Sequence, residues 1–391
     1  MKAIIHIGTP KTGTTSAQSW LSQNRQNLQN NGVFYPSSLG EHHHIRLATA
    51  CRLANRPERG FKLFNIKNES DHKSFSQETF YNFEKEIENV PQSNTCLISS
   101  EWLYNRLDLP EEIRALRTFL DNFFDEFKIV IWLRPQVDYI VSMASTISRT
   151  GAVFNRKRLE ALRTSPELQY DTILSRWEKE MGKQNVTVLP YKREKNVIKK
   201  LLTFSGSSME PDARPTRENS RLSLNLIHLG NQIRLPHANR VFDPGWDRRK
   251  YFENIESTNP LKISRAFAET INAGFANQNS AVVDRHEAIC LNDLDPEWKK
   301  YGDTGNLDRL GETAPFSSEL TQLVRLMNAD LQIQRALTEI AEAEISILRG
   351  EDGFRRLAQA ERYINSVNDN CYLSERLVAA RKKLRRLKGN L

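Results

Sequence analysis

Residues 8–15 read Gly8-Thr9-Pro10-Lys11-Thr12-Gly13-Thr14-Thr15 and stand directly behind the largely apolar run AIIHI of residues 3–7. The two glycines have the spacing of a phosphate-binding loop, G-x-x-x-x-G-K-[ST]. Thr14, however, occupies the lysine's place, and the loop's only lysine, Lys11, comes two residues before Gly13. A strand that turns through such a loop into a helix presents successive backbone N–H groups, and the positive end of the helix dipole, to an anion. Gly8 and Gly13 permit close backbone approach, Pro10 stiffens the turn, and Thr12, Thr14 and Thr15 supply hydroxyls. Thr14 and Thr15 are also placed to cap the helix. Lys11, on the crest, can reach the oxygen that bridges a bound phosphate to a transferred group.

Outward from the loop, short β-rich runs alternate with helical patterns. Residues 3–7 predict a first strand, and residues 14–28 a helix. The sequence GVFYP of 32–36 predicts a short second strand, and TCLIS of 95–99 and KIVIWL of 128–133 predict strands buried on both faces. Helices are expected over 110–124, 136–149 and 166–181, with a further strand at 185–191 (NVTVLPY). This alternation predicts an α/β fold, a three-layer arrangement with a parallel sheet covered on both sides. In such sheets ligands bind beyond the carboxyl ends of the strands. The loop at 8–15, Ser99–Glu101 and Arg134 should therefore converge.

Beyond residue 205 the pattern loosens. Residues 206–221 read as a loop and 223–234 as a helix. Residues 236–251 are irregular, basic and aromatic, and the chain is almost wholly helical from 316 onward. The expected division is one domain over 1–310 and a helical C-terminal extension over 311–391.

The 391 residues carry a formal net charge of +8, which favours anionic partners without choosing among them. No stretch approaches the roughly 18 consecutive apolar residues of a membrane helix. The four cysteines (Cys51, Cys96, Cys290, Cys371) contain no C-x-x-C pair, so neither a disulfide framework nor a zinc site is expected. With no secretory pattern ahead of the first strand, the expected location is cytoplasmic.

The run Pro10-Lys11-Thr12-Gly13-Thr14-Thr15 resembles the 5′-phosphosulfate loop, P-K-[ST]-G-T-[TS], of the sulfotransferases that use 3′-phosphoadenosine 5′-phosphosulfate (PAPS). A second family element, an arginine ending a later strand with a serine eight residues on, is matched by Arg134 and Ser142 in IVIWLRPQVDYIVSMAS. Its fork of donors suits a phosphate, and Pro135 opens the next helix without losing a needed hydrogen bond. The resemblance covers residues 1 to about 310. It implies that Lys11 and its loop hold the 5′-phosphosulfate while Arg134 and Ser142 hold the 3′-phosphate. No metal is expected, because the loop, Lys11 and Arg134 supply the neutralising charge, and no nucleic-acid partner is expected. In style it is closest to bacterial carbohydrate sulfotransferases, which implies a hydroxylated glycan or glycolipid acceptor.

Sulfuryl transfer to a hydroxyl needs a group that accepts the acceptor's proton. Glu101, in LISSEWL, opens from the third strand onto the ligand edge and is the expected base; bacterial relatives carry a similar Ser-Ser-Glu there. His42, His43 and His44 of GEHHHIR form the rival set, because histidine titrates nearer neutrality. His43 or His44 is expected to contact the acceptor. Arg221 matches the family's basic residue of the C-terminal half, although the R-K-G signature found in some members is absent. Trp102 and Tyr104 are expected in the core rather than against a sugar or adenine ring.

Residues 372–388 form a basic amphipathic helix with Leu373, Leu377, Leu384 and Leu387 on one face and seven basic residues. It either packs those leucines on its own domain or docks peripherally on a membrane or partner. Two other functions fit parts of the chain. A nucleotide kinase or NTPase would want lysine after Gly13 and a carboxylate for magnesium, and a non-catalytic scaffold would work through the helical C-terminus.

Overall fold

A computed structural model describes residues 1–150, 152–211, 221–232, 260–310, 318–349, 352–367 and 374–389. Strand β1 (Lys2–His6) lies at the middle of an all-parallel sheet with β2 (Val33–Phe34), β3 (Thr95–Ser99), β4 (Glu126–Leu133) and β5 (Val186–Pro190), in the order β2-β3-β1-β4-β5. Ile5 pairs with Ile98 on one side and Ile129 on the other, so three carboxyl ends finish side by side. The expected α/β class and parallel sheet are present.

Both faces of the sheet are covered. Ile4, Leu97, Val130, Trp132 and Leu189 share one core with Ala17, Leu21, Ile198 and Leu201 from helices α1 (Thr14–Gln23) and Val197–Phe204. Alternate residues Ala3, Ile5, Cys96, Ile98, Ile129 and Ile131 are equally buried on the other side. Continuous apolar runs form these strands because a two-sided burial leaves no face for polar residues.

The predicted helix over 14–28 is two helices, α1 and Arg25–Asn30, broken at Asn24. Asn24 donates its side-chain amide to the Trp20 carbonyl (2.8 Å), a local bond that competes with helix continuation. The predicted helix over 166–181 likewise begins as a single 3-10 turn, Pro166–Leu168, and becomes α-helical at Tyr170–Met181. The helices at Pro110–Phe123 and Gln136–Arg149 stand where the sequence places them.

By contacts the chain forms two units. One comprises Met1–Met143, Lys157–Ser220 and Lys262–Gly305, and contains the sheet. Within it, helix Ala276–Arg285 is tied to the start of helix Gln136–Arg149 through the buried amides of Asn279 and Gln136, 2.7 Å apart. The other comprises Ala144–Arg156, Arg221–Leu261 and Asn306–Leu391. Its helices Ser318–Leu348, Phe354–Asn365 and Ser374–Lys388 close on a core of Ile333, Ile340, Leu357, Ile364, Leu377 and Leu384. Leu377, Leu384 and Leu387 are thus buried within their own unit, and that apolar face is spent on packing. Leu373 and the stretch 236–251 lie outside the described residues. Among the described residues no helix is long and apolar enough to cross a membrane.

Candidate active site

The loop after β1 is built from left-handed backbone. Gly8 has φ 81°, Lys11 φ 71° and Gly13 φ 82°. For lysine this region costs about 1–2 kcal/mol, so something must hold it. Arg134, the first residue beyond β4, does so: its Nη1 donates to the Lys11 carbonyl at 2.7 Å. Thr12 adds an internal bond from its hydroxyl to the Thr9 carbonyl, also 2.7 Å. The Lys11 crest is half-buried, Pro10 and Thr12 are buried, and Gly13 and Thr15 are exposed.

On the other flank, Thr14 donates its hydroxyl to Glu101 Oε2 at 2.9 Å. Gly8 makes this approach possible. A Cβ there would lie 3.2 Å from both Glu101 Cβ and Thr14 Cγ2, tight against two fixed neighbours and in a region that side chains avoid. Glu101 begins a short helix, Glu101–Arg106, capped by Ser100, whose Oγ accepts from the Trp102 N–H. The strand just before is pinned by Ser99. Its hydroxyl meets His6 Nδ1 at 2.8 Å and accepts from Gln18 at 3.2 Å, joining β1, α1 and β3 beneath the loop.

The three histidines have three fates. His44 is fully buried and holds backbone with both ring nitrogens: the Ser99 N–H donates to Nδ1 (2.9 Å) and Nε2 meets the Pro36 carbonyl (2.9 Å). Burial drives its pKa down to about 3, so it stays neutral. The expectation that His44 contacts an acceptor is corrected here, because neither nitrogen is left to offer; it positions Ser99 and hence Glu101. His42 is exposed and meets Ser22. His43 is half-buried, and its Nδ1 is buried without a hydrogen-bond partner. Burial lowers its pKa, the Glu101 carboxylate opposes that shift, and the charges of His42 and Arg59 reinforce it. The turn that sorts these rings depends on Gly40 (φ 141°), where a Cβ would fall 2.3 Å from the His43 carbonyl oxygen.

Arg134 is itself held from below. The Tyr170 hydroxyl donates to its carbonyl at 2.7 Å, and burial raises that phenol's pKa so that it remains a donor. Ser142 lies two turns along the next helix, where its hydroxyl donates to the Tyr139 carbonyl (2.8 Å). Trp102 and Tyr104 are buried, the latter donating to the Glu167 carbonyl (2.8 Å), as core residues do. Arg221 is exposed and belongs to the second unit.

The sheet edge thus brings Lys11, Thr14, Glu101, His43 and Arg134 to one place. It adds a residue that sequence reasoning missed. Tyr191 follows β5 with its N–H on the Leu133 carbonyl (2.8 Å), the Arg134 guanidinium lies 6.0 Å from its ring centre, and its hydroxyl approaches Gly13. The signal was available, since Tyr191 ends the strand run NVTVLPY much as Arg134 directly follows KIVIWL. Among the described residues no cluster of three His, Cys, Asp or Glu side chains has metal-binding geometry.

No family model matches the chain, and no curated protein matches it. Two solved structures are similar to it. One is a sulfotransferase from Alicyclobacillus acidocaldarius, 16% identical, covering 74% of this chain and 97% of that one at a TM-score of 0.39. The other is the sulfotransferase domain from the Synechococcus PCC 7002 olefin synthase, 12% identical, covering 71% and 94% at a TM-score of 0.30.

Proposed function

We propose that the chain is a PAPS-dependent sulfotransferase. The observation that carries this reading is the bond from Arg134 to the Lys11 carbonyl. It joins an arginine fork to a lysine-crested anion loop, which suits a donor with two separate phosphate positions. The loop N–H groups and Lys11 would take the 5′-phosphosulfate, and the remaining donors of Arg134, with Ser142, the 3′-phosphate. Ser142 must turn its hydroxyl from the Tyr139 carbonyl to do so. Tyr191, beside both, offers an aromatic face for the nucleotide. Arg221 is the proposed contact from the C-terminal half.

The acceptor's hydroxyl oxygen attacks sulfur in line, the new O–S bond forms as the bond from sulfur to the phosphate oxygen breaks, and 3′-phosphoadenosine 5′-phosphate (PAP) departs. Lys11 neutralises the charge that grows on the departing oxygen. Glu101 takes the acceptor's proton: Thr14 fixes Oε2, which leaves Oε1 for that task. His43, buried enough to be neutral near pH 7, stands on the acceptor side. The proposed acceptor is a hydroxylated glycan or glycolipid, and the proposed setting is the cytoplasm.

Donor turnover tests the reading. Sulfate transfer from PAPS in the presence of a chelator is expected, and Lys11→Ala should reduce it about a hundredfold or more. Magnesium-dependent ATP cleavage with no sulfate transfer would overturn it.

A further inference from the structure

Helix α1 meets the segment that carries Glu101 with two side chains one turn apart. Thr14 donates its hydroxyl to Glu101 Oε2 at 2.9 Å, and Gln18 donates its side-chain amide to the Ser99 hydroxyl at 3.2 Å. Residues four apart stand over one another on a helix, so both belong to the face that α1 turns to the end of β3. Both are buried, Thr14 at 2% exposure and Gln18 at 4%, whereas Thr15 is exposed. The two threonines that enter the helix therefore have different surroundings.

Both branches of the Thr14 side chain are committed. Cγ2 stands 3.2 Å from where a Cβ would lie at Gly8, and Oγ1 is on the carboxylate. A hydroxyl carries one proton and donates to one acceptor at a time. A β-branched side chain in a helix also has few rotamers to choose from. Turning Thr14 about χ1 toward a phosphate would take this donor from Oε2 and put a methyl or a hydrogen in its place. An anion at the mouth of the loop has other donors, the free backbone N–H groups of the helix start and the hydroxyl of exposed Thr15.

Resting on the sulfotransferase reading, we propose that Thr14 is a positioning residue for Glu101, and that the hydroxyl serving the donor is that of Thr15. Oε2 is held from α1 and Ser99 is pinned from the same helix, so the carboxylate keeps Oε1 for the acceptor's proton. The helix whose N-terminus takes the phosphosulfate then also sets the direction of the base. One rigid element fixes donor and base relative to each other, as in-line attack on sulfur requires.

Titration calorimetry with PAP on wild type, Thr14→Val and Thr15→Val is the first test. Thr14→Val keeps the shape and removes the hydroxyl; its PAP affinity should stay within about twofold of wild type, while that of Thr15→Val falls about tenfold. The second is turnover of PAPS with water as the probe acceptor. The water oxygen attacks sulfur, the bond from sulfur to the phosphate oxygen breaks, Glu101 takes the proton, and sulfate and PAP leave. In Thr14→Val kcat should fall about tenfold with KM for PAPS unchanged, and Thr14→Ser should restore most of it. Added to Glu101→Gln, Thr14→Val should cost nothing further, because it acts through Glu101. A loss of PAP affinity in Thr14→Val as large as in Thr15→Val, an unchanged kcat, or an added loss in the double variant would overturn the proposal. Where water is too slow an acceptor to read, the calorimetric contrast decides alone. Failure of wild type to bind PAP would instead overturn the sulfotransferase reading beneath it.

Discussion

The edge of the sheet and the C-terminal helices spend their residues in opposite ways. At the sheet edge, left-handed backbone at Gly8, Lys11 and Gly13 is held by polar bonds from Arg134 and Glu101, two residues far apart in sequence. In the helices Ser318–Leu348, Phe354–Asn365 and Ser374–Lys388, apolar side chains close on one another while charges pair on the outside, as Lys383 does with Glu344 at 2.9 Å. Strain held by convergent polar groups is the usual mark of a site, and regular structure packed on itself is the mark of a scaffold. On the proposed reading the chemistry sits at the loop, and the helical core is its scaffold.

Three substitutions or conditions can break that contrast. Ile340→Ala, at a fully buried position of the helical core, should cost about 2–5 kcal/mol of that region's stability and leave donor affinity unchanged. Hydrogen exchange reads the first and calorimetry the second; a parallel loss of donor affinity would mean that the helices serve the site. Gly8→Ala should do the reverse. Its Cβ would press on Glu101 and Thr14 from a left-handed residue, so donor affinity should fall by about 1–3 kcal/mol with helical protection intact. Unchanged affinity would show that the tight Gly8–Glu101 approach is dispensable.

Acid gives the smallest effect near neutrality. His6 and His44 are buried neutral, each with a pKa of about 3 against an ordinary 6.5. A depressed histidine holds fewer protons folded than unfolded, so stability is complete above about pH 6.5 and declines toward pH 3. The slope is about 1.4 kcal/mol per pH unit for each ring. The C-terminal residues 318–391 contain no histidine. Amide protection, corrected for intrinsic exchange, should therefore fall at β1 and β3 between pH 7 and pH 5 before it falls in the helices. Equal decline in both regions would contradict the neutral burial of these rings.

Much of this contrast was legible in the sequence, for reasons that are local. Strands buried on both faces leave continuous apolar runs, so β3 and β4 could be read directly, and a ligand edge follows from a parallel sheet. Gly8 and Gly13 announced a loop that needs positive φ. Less legible was anything set by long-range partners. The helix break at Asn24 turns on one side-chain bond, and adjacent histidines cannot be told apart until Ser99 and Pro36 claim His44. Lys11's left-handed backbone, and the arginine that holds it, join positions separated by more than a hundred residues. Tyr191 was missed although its place at the end of a strand run was visible, because its contacts with Arg134 and Gly13 are set only by the fold.

The central claim is that Arg134 and the Lys11 loop form one binding site for a nucleotide phosphorylated at both its 3′ and 5′ positions. Titration calorimetry with PAP, on wild type and on Arg134→Ala, tests it most directly. Wild type should bind PAP much more tightly than ADP, and the variant should lose about tenfold or more in PAP affinity. No binding of PAP to wild type, or equal affinity for PAP and ADP, would contradict it.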